Sequence, residues 1–161
     1  DFARMLRVHG ARKKYENEVL GYNSRMDTIQ AAILKIKLDH IDDFIEKRRR
    51  IAQKYHQLLD GIGGLQLPDS GNVNYHSFNY YTVRIKDGRR DEVKTRLGES
   101  GIGTMVYYPF PLHHLPLYKD LKLRLPEAEL ASREVLSLPI WPHIEENKVE
   151  RVADTLREIL G

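Results

Sequence analysis

Apolar side chains recur at intervals of three and four residues from Ile29 to Ile62, which predicts one amphipathic helix of about nine turns. Asp27 can cap the start of this helix, and Gln30 is placed three positions on to complete a capping box. Glycines within 61–64 predict its end. So long a helix needs a sheet, a second domain or a partner subunit to lie along.

The rest of the chain alternates between short helical and extended patterns. Phe2 to Leu6 has the pattern of the last turns of a helix, with Gly10 at the C′ position, and 11–20 is predicted to be a loop or a short helical turn. Residues 68–75 are rich in turn formers. Helices are predicted over 90–99, 126–135 and 145–160, and extended segments over 78–85, 103–108 and 136–142. This order predicts an α/β (α+β) fold, in which the long helix and the other helices pack on a small, mostly antiparallel sheet.

The composition limits the classes of protein that fit. With 161 residues, 41% hydrophobic and 30% charged, the chain suits one domain, or one domain and a piece of another. The net charge of +3 is spread along the sequence, so it permits an anionic ligand but does not indicate nucleic acid. No apolar run approaches the roughly 20 residues of a membrane span. The absence of Cys excludes disulfides and thiolate metal sites, and it fits a cytoplasmic protein.

Two polar clusters are better explained as ordinary surface residues than as a metal site or a nucleic-acid-binding site. The adjacent His113 and His114 are expected to point to opposite sides of an extended segment, with no carboxylate at ligand spacing, so no metal site is predicted. Residues 47–50 (KRRR) fan around the predicted helix, which favours a solvated face over a nucleic-acid patch.

The motifs of a complete active site are absent from this sequence. There is no Gly-x-Ser-x-Gly, no Cys nucleophile and no glycine-rich phosphate loop that follows a strand. We therefore assign no catalytic residue within the chain.

Two clusters remain as candidates for binding. Asn23 and Arg25 lie in a polar turn before the long helix, where they can donate hydrogen bonds to a phosphate or a carboxylate; the alternative is a helix-capping loop. The segment 107–113 (YYPFPLH) is stiffened by two prolines as it leaves a predicted strand, where binding residues often lie. Its alternative is a connection that packs aromatic rings into the core.

Four phrases of the sequence carry a resemblance to a known family. They are RMLRVHG at 4–10, GYNSRMD at 21–27, YPFPLH at 108–113 and LSLPI at 136–140. Their order and spacing hold over essentially the whole chain, which resembles the C-terminal portion of the DegT/DnrJ/EryC1/StrS family of pyridoxal-phosphate-dependent nucleotide-sugar aminotransferases.

The resemblance implies a homodimeric enzyme of fold type I with active sites at the subunit interface. Such an enzyme moves an amino group from glutamate or glutamine to a keto group of a nucleotide-linked sugar. By the same resemblance, Asn23 is expected to bind the cofactor phosphate of the other subunit and Arg25 to bind the substrate. Tyr107, Tyr108 and His113 are expected to line the sugar-nucleotide site. Many members have His where this chain has Tyr107, so a role of that His in binding the diphosphate does not transfer.

The resemblance also implies a division into domains. Residues 1–26 are expected to be the C-terminal edge of the large cofactor-binding domain, and residues 27–161 the small domain. The Schiff-base lysine, and the aspartate that pairs with the pyridine nitrogen, belong to the part of the large domain that is expected to precede residue 1. The chain alone is therefore expected to be inactive. The alternative is a non-catalytic binding or regulatory module of the same fold.

Overall fold

The structure, a computed structural model, describes residues 1–69 and 75–161. The chain forms two compact units, Asp1–Ile41 and Asp42–Gly161. Most of the turn-rich stretch predicted at 68–75 lies outside the described residues. The expected division into residues 1–26 and 27–161 stays a prediction.

The first unit contains two helices and a small hairpin. Its elements are α1 (Phe2–Leu6), β1 (Ala11–Lys13), β2 (Glu16–Asn17) and α2 (Thr28–Leu38). The antiparallel pair β1 and β2 replaces the predicted loop or helical turn, so that prediction was wrong. The strands carry no buried side chain, so they lack the apolar alternation by which a strand is recognised in sequence.

Gly10 is required by a close approach between two backbone segments. Helix α1 ends at Leu6 with Arg7 as its C-cap, so Gly10 lies beyond the C′ position predicted for it. It has φ +74°, and a Cβ atom there would lie 1.8 Å from the Val19 carbonyl oxygen. A side chain at this position would force the two segments apart.

The second unit packs helices on a three-stranded antiparallel sheet. Its elements are α3 (Ile41–Leu59), β3 (Leu65–Gln66), β4 (Tyr81–Ile85), α4 (Arg90–Glu99), α5 (Pro126–Glu134), β5 (Val135–Leu138) and α6 (Glu146–Leu160). The strand order is β3-β4-β5, with Tyr81 opposite Leu138 and Arg84 opposite Val135. Two short 3₁₀ turns, Leu112–His114 and Pro116–Leu121, precede α5. This arrangement confirms the predicted fold class.

The single long helix predicted over 27–62 is two helices. Helix α2 ends at Leu38, and α3 begins at Ile41 after the turn residues Asp39 and His40. The His40 N–H bonds to Lys37 O at 3.1 Å, three residues back, which tightens the last turn of α2. Asp is a weak former of helix interiors because its carboxylate competes for nearby backbone N–H groups. The cap at the other end is confirmed, since the Asp27 carboxylate accepts hydrogen bonds from the Ile29 and Gln30 N–H groups.

The strand predicted over 103–108 is reduced to one bridge. Met105 pairs with Ser137 through two backbone hydrogen bonds of 2.7 and 3.2 Å. The ladder goes no further because Pro109 and Pro111 have no N–H to donate to it.

The hydrophobic core of the described residues lies entirely in the second unit. Alternate residues of β4 (Tyr81, Val83 and Ile85) face the core, where they meet the apolar faces of the helices. The residues predicted to face inward from the last helix are buried as expected: Val149, Val152, Leu156 and Ile159. Within the described ranges, we find no helix whose length and apolarity would let it cross a membrane.

Candidate functional site

The turn that contains Asn23 is fixed by backbone hydrogen bonds to the last residue of α1 and to the residue that follows it. Tyr22 N–H donates to Leu6 O at 2.7 Å, and Ser24 N–H donates to Arg7 O at 2.9 Å. Asn23 itself forms a bridge with Val8. A Cβ atom at position 21 would lie 2.0 Å from Gly10 N, so glycine is needed where the two segments meet. The turn is therefore held rigidly although its side chains are exposed.

The side chains of Asn23 and Arg25 contact each other on this turn. Arg25 Nε donates to Asn23 Oδ1 at 3.2 Å, and both residues are exposed. Within the residues that the structure describes, the Asn23 amide NH₂ makes no further hydrogen bond, so it can donate to a ligand. The pair presents one cation and amide donors on a rigid turn, an arrangement suited to an oxyanion such as phosphate or carboxylate.

A cavity of about 520 Å³ lies in the second unit beside the segment 107–113. Tyr107, Tyr108 and His113, the three residues predicted there, all line it. The remaining lining is almost wholly aromatic and aliphatic, and it includes the side of α5 that carries Ala128 and Ala131. A cavity of this size with few polar groups suits a small organic ligand.

The aromatic rings of this segment do not pack into the core, so that alternative was wrong. Tyr108 is 72% exposed and Phe110 is 66% exposed. The ring of Tyr107 lies 4.6 Å from the ring of Tyr80, which precedes β4.

His113 and His114 meet a shared carboxylate, contrary to the sequence prediction. They lie on the 3₁₀ turn Leu112–His114 rather than on an extended segment, and their Nε2 atoms lie 3.1 and 3.7 Å from Glu129 Oε1. The same oxygen accepts a hydrogen bond from the Leu125 N–H at 3.0 Å. The hydrogen bond from His113, and after it that from Leu125, lowers the pKa of Glu129, so its carboxylate is ionised at neutral pH.

Sequence reasoning missed Glu129 because it lies sixteen positions from His113. The only local signal is its place one turn into a helix that starts with Pro126, where a carboxylate can reach back to the N-cap N–H.

The basic run 47–50 is only partly a solvated face. Arg48 Nε donates to Ser77 O at 3.0 Å, and Arg49 Nη1 donates to His76 O at 3.1 Å. The Arg49 guanidinium also lies over the ring of Tyr75, 4.3 Å from its centre. These two cations fasten the chain before β4 to α3, so the prediction of a solvated face was wrong for Arg48 and Arg49.

The five predicted site residues fall in the two units. Asn23 and Arg25 belong to the first unit, and Tyr107, Tyr108 and His113 belong to the second. The structure brings together the members of each set, while their roles in binding stay predictions.

Comparison with known proteins gives one consistent result. The model of the DegT/DnrJ/EryC1/StrS aminotransferase family matches residues 1–157. A pleiotropic regulatory protein of Geobacillus stearothermophilus is 45% identical, over 96% of this chain and 42% of its own length. The dTDP-3-amino-3,4,6-trideoxy-alpha-D-glucose transaminase of Streptomyces venezuelae is 42% identical, over 96% of this chain and 41% of its own length.

The fold agrees with that of a solved member. The crystal structure of S. venezuelae DesV in complex with a ketimine intermediate superposes with a TM-score of 0.91 at 42% identity, and covers 96% of this chain and 42% of its own. The chain thus spans about two fifths of the length of the relatives it matches.

Proposed function

Because the chain belongs to the DegT/DnrJ/EryC1/StrS aminotransferase family, we propose that it is part of an enzyme that aminates a keto sugar linked to a nucleotide, with glutamate or glutamine as amino donor. The observation that carries this proposal is the match of the family over residues 1–157. The 42% identity to a transaminase of a dTDP-linked amino sugar supports a nucleotide sugar as the substrate class.

Pyridoxal phosphate is the cofactor that membership of the family implies, and residues of the first unit fit its phosphate. The fit rests on the Asn23 NH₂, which is exposed and still able to donate, beside the positive charge of Arg25. When bound, this cofactor supplies the electron sink that transamination needs. Following the resemblance, we place the lysine that attaches it outside residues 1–161 and expect these residues alone to be inactive.

Each predicted site residue then has a role of binding or orientation. Asn23 donates hydrogen bonds to the cofactor phosphate, and Arg25 binds the substrate carboxylate or diphosphate through its guanidinium. The hydroxyl groups of Tyr107 and Tyr108 donate to the sugar nucleotide from the cavity wall. The apolar lining around them excludes water from the bound sugar. His113, buried and bonded to Glu129, holds this wall in place.

A second subunit is part of the proposal. Helix α2 has no buried residue, although most of its side chains are apolar. A helix that is apolar on most sides is normally covered by protein. We propose that the enzyme is a homodimer in which Asn23 serves the cofactor of the partner, so that each active site is composite.

One observation favours a second candidate function. The relative from G. stearothermophilus, at 45% identity, is described as a pleiotropic regulatory protein. The alternative is therefore a regulatory protein of the same fold that binds ligands without amino transfer.

The test of the proposal uses the full-length protein loaded with pyridoxal phosphate. Wild-type protein given L-glutamate should release one equivalent of 2-oxoglutarate per active site, as measured with a coupled dehydrogenase. Asn23→Ala should weaken retention of the cofactor at least about tenfold, since a hydrogen bond to a charged group contributes about 1.5–3 kcal/mol. Retention is measured as the cofactor that remains after dialysis.

Asn147→Ala is the matched control, because Asn147 is an exposed Asn on α6 outside both predicted clusters. It should retain the cofactor like the wild type. Unchanged retention in Asn23→Ala would remove the phosphate role from Asn23. Absence of the oxo-acid product from the loaded wild type, with L-glutamate and with L-glutamine alike, would favour the regulatory alternative.

A further inference from the structure

We propose that His113, His114 and Glu129 form a binding site for a divalent transition-metal ion, and that Zn²⁺ is the ion the donor set suits best. The proposal does not depend on the proposed function, since it needs neither the cofactor nor the sugar. It replaces the sequence prediction of no metal site, because both premises of that prediction fail in the structure.

The spacing of the three donor atoms suits a tetrahedral ion. One donor atom from each residue can be chosen so that all three lie within 4.8 Å of one another. Tetrahedral Zn²⁺ with bonds of about 2.0–2.1 Å holds its ligand atoms roughly 3.3 Å apart. The distances from Glu129 Oε1 to the two Nε2 atoms, 3.1 and 3.7 Å, lie on either side of that value. The side chain of His114 is 51% exposed, so it can close the remaining gap by rotation.

The chemistry of the donors also suits Zn²⁺. Two imidazoles and one carboxylate are a ligand set that Zn²⁺ uses in catalytic sites, with a further position left open. The Glu129 carboxylate is the anionic member of this set. Its charge offsets one of the two positive charges of the ion.

The ligands are already oriented before an ion binds. Leu125 N–H donates to Glu129 Oε1 at 3.0 Å, which orients the carboxylate, as hydrogen bonds to the ligand side chains do in metal sites. His113 is buried, and its turn is flanked by Pro111 and Pro116. The side chain therefore loses little conformational freedom when an ion binds.

Such an ion would act on the cavity, because His113 is both a ligand and part of the cavity wall. Bound metal would tie the 3₁₀ turn Leu112–His114 to α5. The position of the wall would then respond to the concentration of the metal.

The experiment is calorimetric titration of the full-length protein, without an affinity tag and after treatment with a chelator, with ZnCl₂. We expect one saturable high-affinity site per chain in the wild type. His114→Ala and Glu129→Gln should each weaken binding at least about tenfold, the loss typical of a disturbed metal site. Titration with Co²⁺ should give the intense visible absorption of a tetrahedral site in the wild type, but not in His114→Ala or Glu129→Gln.

His143→Ala is the matched control, since His143 is an exposed histidine outside the cluster. It should bind Zn²⁺ like the wild type. His114→Ala tests the site even if a change at the buried His113 prevents folding. The side chain of His114 is half exposed, so its removal should leave the fold intact. Wild-type protein without saturable binding, or equal affinities of the wild type and His114→Ala, would overturn the proposal.

Discussion

Glu134 shows how a single carboxylate can join two elements. Its Oε2 accepts hydrogen bonds from Arg84 Nε at 2.6 Å and Lys86 Nζ at 2.9 Å, both on the strand side, while Glu134 itself ends α5. Burial of the side chain, which is 10% exposed, acts to raise its pKa. The hydrogen bonds from Lys86 and Arg84 outweigh burial and lower the pKa.

The lowered pKa makes the stability of the fold depend on pH at this residue. Because the pKa of Glu134 lies below the value of 4.5 for an unperturbed Glu, its contribution is complete above that pH and is lost as the pH falls through the folded-state pKa. Glu134→Gln should therefore lower the free energy of unfolding by about 1–2 kcal/mol at pH 7. Urea denaturation at neutral pH and at progressively lower pH measures this difference, which should shrink below pH 4.5.

Glu127→Gln provides the control for that measurement. Glu127 is exposed in the first turn of the same helix, so its loss should change stability little at any pH. A deficit of Glu134→Gln that stays constant into acid would assign the effect to packing rather than charge.

The contacts that could be predicted in the candidate sites are those between residues close in sequence. Asn23 and Arg25 are two positions apart, so their proximity follows from the turn alone. Glu129 joins His113 only because the fold brings α5 beside the 3₁₀ turn Leu112–His114. No local sequence pattern indicates that contact. The prediction that His113 and His114 have no carboxylate within ligand distance failed for this reason.

At the scale of elements, the helices that pack on the sheet are the ones that the sequence predicts well. Helix α4 has the predicted bounds, with Val93 and Leu97 buried, because its periodic apolar residues meet a real core. The break between α2 and α3 was missed, since apolar residues continue at helical spacing across Asp39 and His40. The periodicity of the sequence shows which residues are apolar, but it does not show which of them are buried in the fold.

Helix α2 leads to a prediction about association. Ile29, Ile33 and Ile36 lie on one face of this helix and are 72%, 50% and 64% exposed. If a second subunit covers this face, Ile33→Glu places a charge in an apolar interface and should shift the full-length protein from dimer to monomer. Light scattering after size-exclusion chromatography measures the mass.

Lys35→Glu is the control for the charge itself, since Lys35 lies on the same helix and is exposed. It should leave the mass unchanged. A dimer that survives Ile33→Glu at the same concentration would show that this face of α2 is not the subunit contact.

At the scale of the whole molecule, stability is divided unequally between the two units. All the core residues lie in Asp42–Gly161, whereas Gly10 is the only buried residue among 1–41. A unit of about 40 residues without a core of its own does not bury enough apolar surface to offset the entropy of ordering its backbone. We therefore expect the first unit to depend on protein surfaces outside itself for its order.

Hydrogen exchange tests this dependence directly. In a protein limited to residues 1–161, we expect the α2 amides to exchange at nearly the rate of an unfolded chain. The amides of β4, β5 and α6 should exchange only through global unfolding, because their residues form the core. In the full-length protein with pyridoxal phosphate, α2 should become protected by at least about tenfold, since covering its apolar face stabilises the helix.

Helix α4 is the internal reference, because it packs on the core of the second unit and should exchange equally in both samples. Equal protection of α2 in the two samples would mean that the first unit is stable without further protein, and it would remove the argument for a partner on this helix.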